Sequence, residues 1–268
     1  MAAIRSEVAD GVAVLTLADV DNRNALGGAV IGGLVDGLAA ANADDSVRVI
    51  VITNDGPIFC AGANIKKQAQ PKNATPAEAD EQTEAPRPLG LDRLLTDIMT
   101  SATPVVGKIN GHVVGGGMGL AAALDVSVAV DDAKFGFTEV RIGVIPAIIS
   151  VVCLPKMTRA DAMEAFVRGN RFPATRAAEM GLINRAVPAD QLDAEVQAVI
   201  DDIRRGGPTA VGLAKQLVND VPTMAQADAF ARTSELSASL FASDEAREGM
   251  RAFIDKRPPT WVPDDGEA

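Results

Sequence analysis

The chain has 268 residues, 47% hydrophobic and 23% charged, a globular balance that excludes a disordered or fibrous polymer. Its 36 acidic and 25 basic residues give a formal net charge of −11, which opposes nucleic acids and anionic membranes as partners. Eight Phe, one Trp and no Tyr leave little for a base-stacking platform.

The opening residues place Glu7 where a secretory leader needs an apolar stretch. No apolar run approaches the roughly 18 residues of a membrane span, so a soluble, cytoplasmic protein is expected. Residues 12–17 and 49–53 are short β-branched runs bounded by turn residues and predict buried strands. Between them Leu26, Val30, Ile31, Leu34, Val35 and Leu38 share one face of a predicted helix. Its glycines at 27, 28, 32, 33 and 37 each cost about 1 kcal/mol against Ala, so packing must hold it. Residues 67–90 turn abruptly to Gln, Pro, Ala, Glu and Asp and read as a long loop or partly helical flap. Residues 104–109 and 126–130 predict two further strands, and the alternation indicates an α/β architecture.

Beyond about residue 188 only helical patterns remain. Leu192, Val196, Val199, Ile200 and Ile203 mark one helix, Pro208 begins the next, and Val221-Pro222-Thr223 interrupts before a third. Ser243 caps a fourth, which Pro258-Pro259 ends. The chain thus divides into a β/α core, 1–188, and a C-terminal helical part, 189–268, folded over its own core or over a neighbour's.

Cys60 and Cys153 lie 93 positions apart and read as free buried thiols of a reducing compartment. His112 is the single histidine, so no metal site is expected; as a lone imidazole it reads as a packed or backbone-bonded side chain. Neither G-x-S-x-G nor a P-loop occurs, since Gly107-Lys108 is followed by Ile109. Chemistry therefore falls to carboxylates, backbone groups or a borrowed cofactor.

Three segments carry that chemistry. Phe59-Cys60-Ala61-Gly62-Ala63-Asn64-Ile65-Lys66 follows a strand, and its small residues allow a ligand close to exposed amides; the alternative is an ordinary strand-to-helix turn. Asn110-Gly111-His112-Val113-Val114-Gly115-Gly116-Gly117-Met118-Gly119 opens an apolar helix with free N–H groups and a positive dipole end, suited to a developing oxyanion. Close helix packing is the alternative use of these glycines. A dinucleotide fingerprint, Gly117, Gly119 and Ala122, is misplaced because Gly111 to Gly116 intervene after the strand. In Phe135-Gly136-Phe137-Thr138-Glu139-Val140-Arg141, Glu139 sits in apolar company, where burial would raise its pKa into a range useful for proton transfer. Otherwise it is a solvated acid or a partner of Arg141.

Together with Arg23-Asn24-Ala25-Leu26, Glu139 through Pro146 and the C-terminal Asp244 to Phe253 with Lys256-Arg257, these segments resemble the crotonase superfamily of enoyl-CoA hydratases and isomerases. The resemblance implies a spiral of repeated ββα turns with a C-terminal helical trimerisation region, assembled as a homotrimer or dimer of trimers. It implies an acyl-CoA thioester as substrate, with coenzyme A part of that substrate and no other cofactor. By the family pattern the N–H groups of Ala63 and Gly116 would hold the thioester oxygen as an enolate forms, and Glu139 would be the acid/base. Arg23, Ala61 and Ile65 would line the CoA path, with Lys66 and Lys256, the latter from a neighbour, near its phosphates. Hydratases of the family typically use two glutamates; the first would fall at position 119, which here is glycine. The expectation is an enoyl-CoA hydratase-like lyase using Glu139 alone, of the branched-chain kind. The alternatives are a Δ3,Δ2-enoyl-CoA isomerase using the same glutamate, or a non-catalytic acyl-CoA binding protein.

Overall fold

The computed structural model describes residues 2–63 and 90–262. Its strands are β1 (Ile4–Ala9), β2 (Val12–Leu17), β3 (Val49–Asn54), β4 (Ile58–Cys60), β5 (Val105–Ile109), β6 (His112–Val114), β7 (Val126–Val130), β8 (Lys134–Gly136), β9 (Phe172–Pro173) and β10 (Arg185–Val187). β1 and β2 form an antiparallel hairpin through Asp10-Gly11, both at positive φ, the Asp-Gly turn that matches strand twist. From β2 onward the larger sheet is parallel, in the order β1-β2-β3-β5-β7-β10. Burial of both faces explains the uninterrupted apolar run of β3, whose residues Val49, Ile50 and Ile52 are wholly covered. A smaller sheet, β4-β6-β8-β9, is parallel through β8 and antiparallel at β9. β3, β5 and β7 of the large sheet are each followed by β4, β6 and β8 of the small one, which is the repeating ββα spiral.

The helices are α1 (Gly28–Ala43), α2 (Leu91–Thr100), α3 (Gly116–Ala123), α4 (Ala147–Cys153), α5 (Arg159–Arg168), α6 (Ala174–Glu179), α7 (Leu192–Arg205), α8 (Pro208–Asp220), α9 (Gln226–Phe241) and α10 (Asp244–Ile254). Two glycines of α1 have a packing reason. A Cβ on Gly37 would stand 2.7 Å from Leu15 Cδ2, and one on Gly33 3.0 Å from Ile4 Cβ, so the helix lies almost backbone-on-sheet. Leu26, expected on this helix, instead precedes it and bridges to Ala63. Arg23 and Asn24 at positive φ turn the chain first, and Asn24, wholly buried, anchors the turn by donating to Ile58 O at 2.8 Å. The predicted 67–90 flap lies outside the described residues except for Gly90.

The strands end at Val187, as expected. α7 nevertheless joins the main core through Leu192, Val196, Val199 and Ile200. α8 begins at Pro208, and Ser243 Oγ caps α10 by accepting from Ala246 N–H at 3.1 Å. No described helix is long and apolar enough to cross a membrane.

A buried charge ties α8 to the core. Lys215, its side chain 6% exposed, donates to Ile98 O at 2.7 Å and pairs with Asp125 Oδ2 at 2.8 Å. Asp125 also accepts the Val105 N–H at 2.7 Å, and Asn219 Nδ2 reaches Met99 O at 3.0 Å. The C-terminal carbonyls of α2 are therefore capped from α8. Burial lowers the Lys215 pKa and raises that of Asp125, in each case against their mutual attraction. Lys215→Met strands the Asp125 charge and should cost about 3–5 kcal/mol of stability, read as a lower urea midpoint. Adding Asp125→Asn should recover part of that loss.

Candidate active site

β4 and β6 run parallel and adjacent, Ile58 opposite His112 and Cys60 opposite Val113, so the turns leaving their C-terminal ends emerge side by side. Gly62 has φ +78°, and a Cβ on it would lie 2.8 Å from Gly116 N and 3.0 Å from Val114 O. Gly115, φ +57°, would carry a Cβ 3.5 Å from Gly62 Cα. The two turns touch through main chain alone, and each is pinned from behind. Leu26 N–H donates to Gly62 O at 2.7 Å and Ala61 N–H to Arg23 O at 3.1 Å; Gly115 N–H donates to Gly136 O at 3.0 Å.

Gly116 is the first residue of α3, so its N–H has no intrahelical acceptor and sits at the positive end of the helix dipole. Ala63 follows Gly62 and is exposed. Among the described residues neither the Ala63 nor the Gly116 N–H is taken by a loop or turn carbonyl. Leu26 Cδ1 and Leu91 Cδ2, at 3.0 and 3.4 Å from the Cβ position of Gly116, wall this turn with hydrocarbon.

Glu139 opens a short 3-10 turn, Glu139–Ile142, just after β8. Its Oε1 lies 3.7 Å from the Cβ position of Gly115, and its Oε2 is buried with no hydrogen-bond partner among the described residues. Burial raises its pKa, only partly offset by its own backbone N–H. It is not held by Arg141, whose Nε donates to Gly169 O at 2.6 Å. The two thiols are unsuited to chemistry: burial pushes both Cys60 and Cys153 up to about 12.

The structure thus brings Ala61, Gly62, Ala63, Gly115, Gly116 and Glu139 together, with the Arg23 backbone directly behind Ala61 and its side chain exposed. Ile65 and Lys66 fall outside the described residues. Lys256 is exposed just beyond α10 and joins none of these contacts. His112 is backbone-bonded, its Nδ1 accepting from Lys134 N–H at 3.1 Å. Among the described residues no three His, Cys, Asp or Glu side chains converge as a metal site requires. Gly117 serves packing, since a Cβ on it would meet Cys60 O at 2.7 Å. Position 119, where the family's first glutamate would fall, is not open space, because Ile149 fills it. Sequence reasoning missed Leu26 and Leu91 as hydrocarbon beside the Gly116 turn, and Ile149 as the residue covering Gly119. Only Leu26 had a local signal, its place beside Arg23-Asn24.

Compared with known proteins, residues 7–264 match the family model described as Enoyl-CoA hydratase/isomerase. A Thermus thermophilus protein described as an enoyl-CoA hydratase is 34% identical over 250 residues, 93% of this chain and 97% of that one. Among solved structures, Pseudomonas aeruginosa AtuE is 30% identical with a TM-score of 0.88, covering 97% of this chain and 100% of its own. A Legionella pneumophila structure described as an enoyl CoA hydratase/isomerase (crotonase) is 32% identical with a TM-score of 0.84, covering 97% of this chain and 99% of its own.

The contact between the turns makes Gly62 intolerant of any side chain. Gly62→Ala combines a left-handed backbone, about 1–2 kcal/mol for a residue with a Cβ, with a clash on Gly116 N. The variant should lose at least that much stability, measured by denaturant unfolding. A Gly28→Ala control, where a Cβ meets nothing within 4 Å, should be neutral or better.

Proposed function

Because the chain belongs to the enoyl-CoA hydratase/isomerase family, we propose that it is a hydratase-like lyase adding water to an enoyl-CoA thioester with Glu139 as its one acid/base. The observation that carries this reading is the Glu139 carboxylate, half-buried and lacking a partner at Oε2 among the described residues, against the glycine turn whose Gly116 N–H no described loop or turn carbonyl takes. The Ala63 and Gly116 N–H groups hold the thioester oxygen, and each such donor is worth about 2.7–4 kcal/mol in the transition state. Water oxygen bonds to C3 while its proton passes to Glu139. The negative charge rests on the held oxygen, and Glu139 then returns a proton to C2. The raised pKa suits a group that must both take and give it.

A second reading has its own observation. With Ile149 against Gly119, α3 offers no second carboxylate, which favours Δ3,Δ2-isomerisation. There Glu139 takes a proton from C2 and delivers it to C4. In either case Arg23, Ala61, Ile65 and Lys66 attend the CoA portion, Lys256 reaches it from a neighbouring copy, and no cofactor beyond that CoA is needed. Free buried cysteines suit the reducing cytoplasm.

We also propose self-association as a trimer or dimer of trimers, supported by the unpartnered apolar side chains of the helical part, Phe253 at 86% and Phe241 at 70% exposure. Sedimentation equilibrium at micromolar concentration should give a mass three or six times that of the chain; a monomer would refute this assembly.

Activity is tested with crotonyl-CoA and a 3-enoyl-CoA, following the conjugated thioester absorbance: hydration removes it and isomerisation creates it. Glu139→Gln should abolish turnover while thioester affinity stays within a few-fold of the parent. The acid limb of kcat/KM should lie above the ordinary glutamate value of 4.5, since the base must be ionised and burial raises its pKa. Stability takes the opposite sign. A raised carboxylate contributes stability below its unfolded pKa and loses it as pH rises through the folded value. Glu139→Gln should therefore melt above the parent at pH 8, with the gap closing toward pH 4.

A further inference from the structure

Glu139 stands on a short turn that is gripped by the end of one helix. α5 stops at Arg168, and Gly169 follows in the left-handed region at φ +57°, its N–H donating to Ala165 O at 3.3 Å. A Cβ on Gly169 would lie 2.6 Å from Val140 Cγ2, 3.3 Å from Arg141 Cγ and 3.3 Å from Phe137 O, so the bare cap is pressed against the Glu139 turn itself. Side chains on both sides of Glu139 close the grip. Before it, the buried Phe137 ring sits 4.2 Å from that of Phe166, the two planes inclined by 35°. After it, Arg141 Nε donates to Gly169 O at 2.6 Å and Nη2 to Arg168 O at 3.4 Å. The last carbonyls of a helix lack intrahelical donors and carry its negative dipole end, so a forked cation suits them.

The guanidinium does not work on Glu139 through its charge. Burial raises the Glu139 pKa and its own backbone N–H lowers it, with no charged side chain among the causes. Inside the turn there is little to hold it: Arg141 N–H reaches Thr138 O at 3.1 Å, Gly143 N–H reaches Val140 O at 3.4 Å and Val144 N–H reaches Glu139 O at 3.2 Å. We infer that Arg141 is a positioning residue for Glu139, tying its turn to the end of α5 and so keeping the carboxylate against the Gly115 turn. This rests on the reading of Glu139 as the acid/base. A reacting group displaced by about 1 Å can lose on the order of 10²-fold in rate, whereas the donors proposed to hold the thioester oxygen lie outside this turn.

The test compares the parent with Arg141→Met, Arg141→Lys and a control, Arg176→Met, which breaks the ion pair of Arg176 with Asp161 in the first turn of α5. Arg141→Met should lower kcat by roughly tenfold or more on whichever thioester the parent turns over, with KM within about threefold. Its acid limb of kcat/KM should move down toward the ordinary glutamate value of 4.5 as the carboxylate swings into water. Arg141→Lys keeps the cation without the fork and should fall between parent and Arg141→Met. Arg176→Met should melt below the parent with kcat and acid limb unmoved. A second readout needs no turnover. Glu139→Gln should raise the melting temperature at pH 8 by removing a desolvated carboxylate, and in the Arg141→Met background that rise should shrink by about half or more.

Parent-like kcat and acid limb in Arg141→Met, or an undiminished rise in the melting cycle, would overturn the role of Arg141. So would an equal loss of kcat in Arg176→Met, which would reduce the effect to general loosening of α5. Should Arg141→Met fail to fold, Arg141→Lys carries the same readouts. A parent inactive on both thioesters would overturn the functional reading by itself, and the melting cycle would still decide whether Arg141 holds the carboxylate.

Discussion

Two main-chain turns, at Gly62 and at Gly115–Gly116, approach so closely that one methyl group on Gly62 would stand 2.8 Å from an amide nitrogen of the other. Parallel pairing of β4 with β6 makes them neighbours, since consecutive strands of the small sheet release their chains from the same end. The second turn opens α3, whose first N–H groups have no partner within the helix, and the backbone of the first is fixed from behind by Leu26 and Arg23. Donors held in this way reorganise little when charge develops in front of them, and that is where preorganised amides gain over water. The glycines are there because contact between bare backbones leaves no volume for anything larger.

That contact also fixes the setting of Glu139. Its carboxylate reaches the Gly115 turn, and its Oε2 is buried with no hydrogen-bond partner among the described residues. The desolvation that raises its pKa is a cost to the fold and an advantage to proton transfer, because a carboxylate easily protonated near neutrality can act in both directions. A charge partner would remove the cost and the function together. Arg141 is only two residues away, yet it is committed to the Gly169 carbonyl.

How far the sequence discloses this depends on the range of each interaction. β2, β3, β5 and β7 are legible because burial on both faces leaves unbroken β-branched runs. β1 is not, since Arg5, Ser6 and Glu7 face solvent, and β8 and β9, with three and two residues, are too short to display a period. Leu26 fits the apolar spacing of α1 yet lies before it. The positive φ values at Arg23 and Asn24 that remove it come from a buried asparagine side chain bonded to a carbonyl 34 positions later. Glu139 and both glycine turns stand out because their composition is locally unusual. Ile149 does not: an isoleucine in an apolar helix is unremarkable until the glycine it covers is seen, and nothing in the spacing of 119 and 149 announces the pair.

The same long-range dependence links the helical part to the chemistry. α2 begins at Leu91, whose side chain lies 3.4 Å from the Cβ position of Gly116, and ends at Thr100, beside carbonyls that Lys215 and Asn219 of α8 cap. One ten-residue helix therefore has the proposed oxyanion turn at one end and a buried ammonium at the other. Leu94, Leu95 and Ile98 hold its middle in the core, so it is braced along its whole length and any shift of α8 is resisted by packing as well as charge. Desolvation acts against the Lys215–Asp125 pair, so its retention is hard to ascribe to stability alone. What it supplies is a single register for α8 against α2, since a lysine reaching both a carbonyl and a carboxylate has one position in which both bonds form.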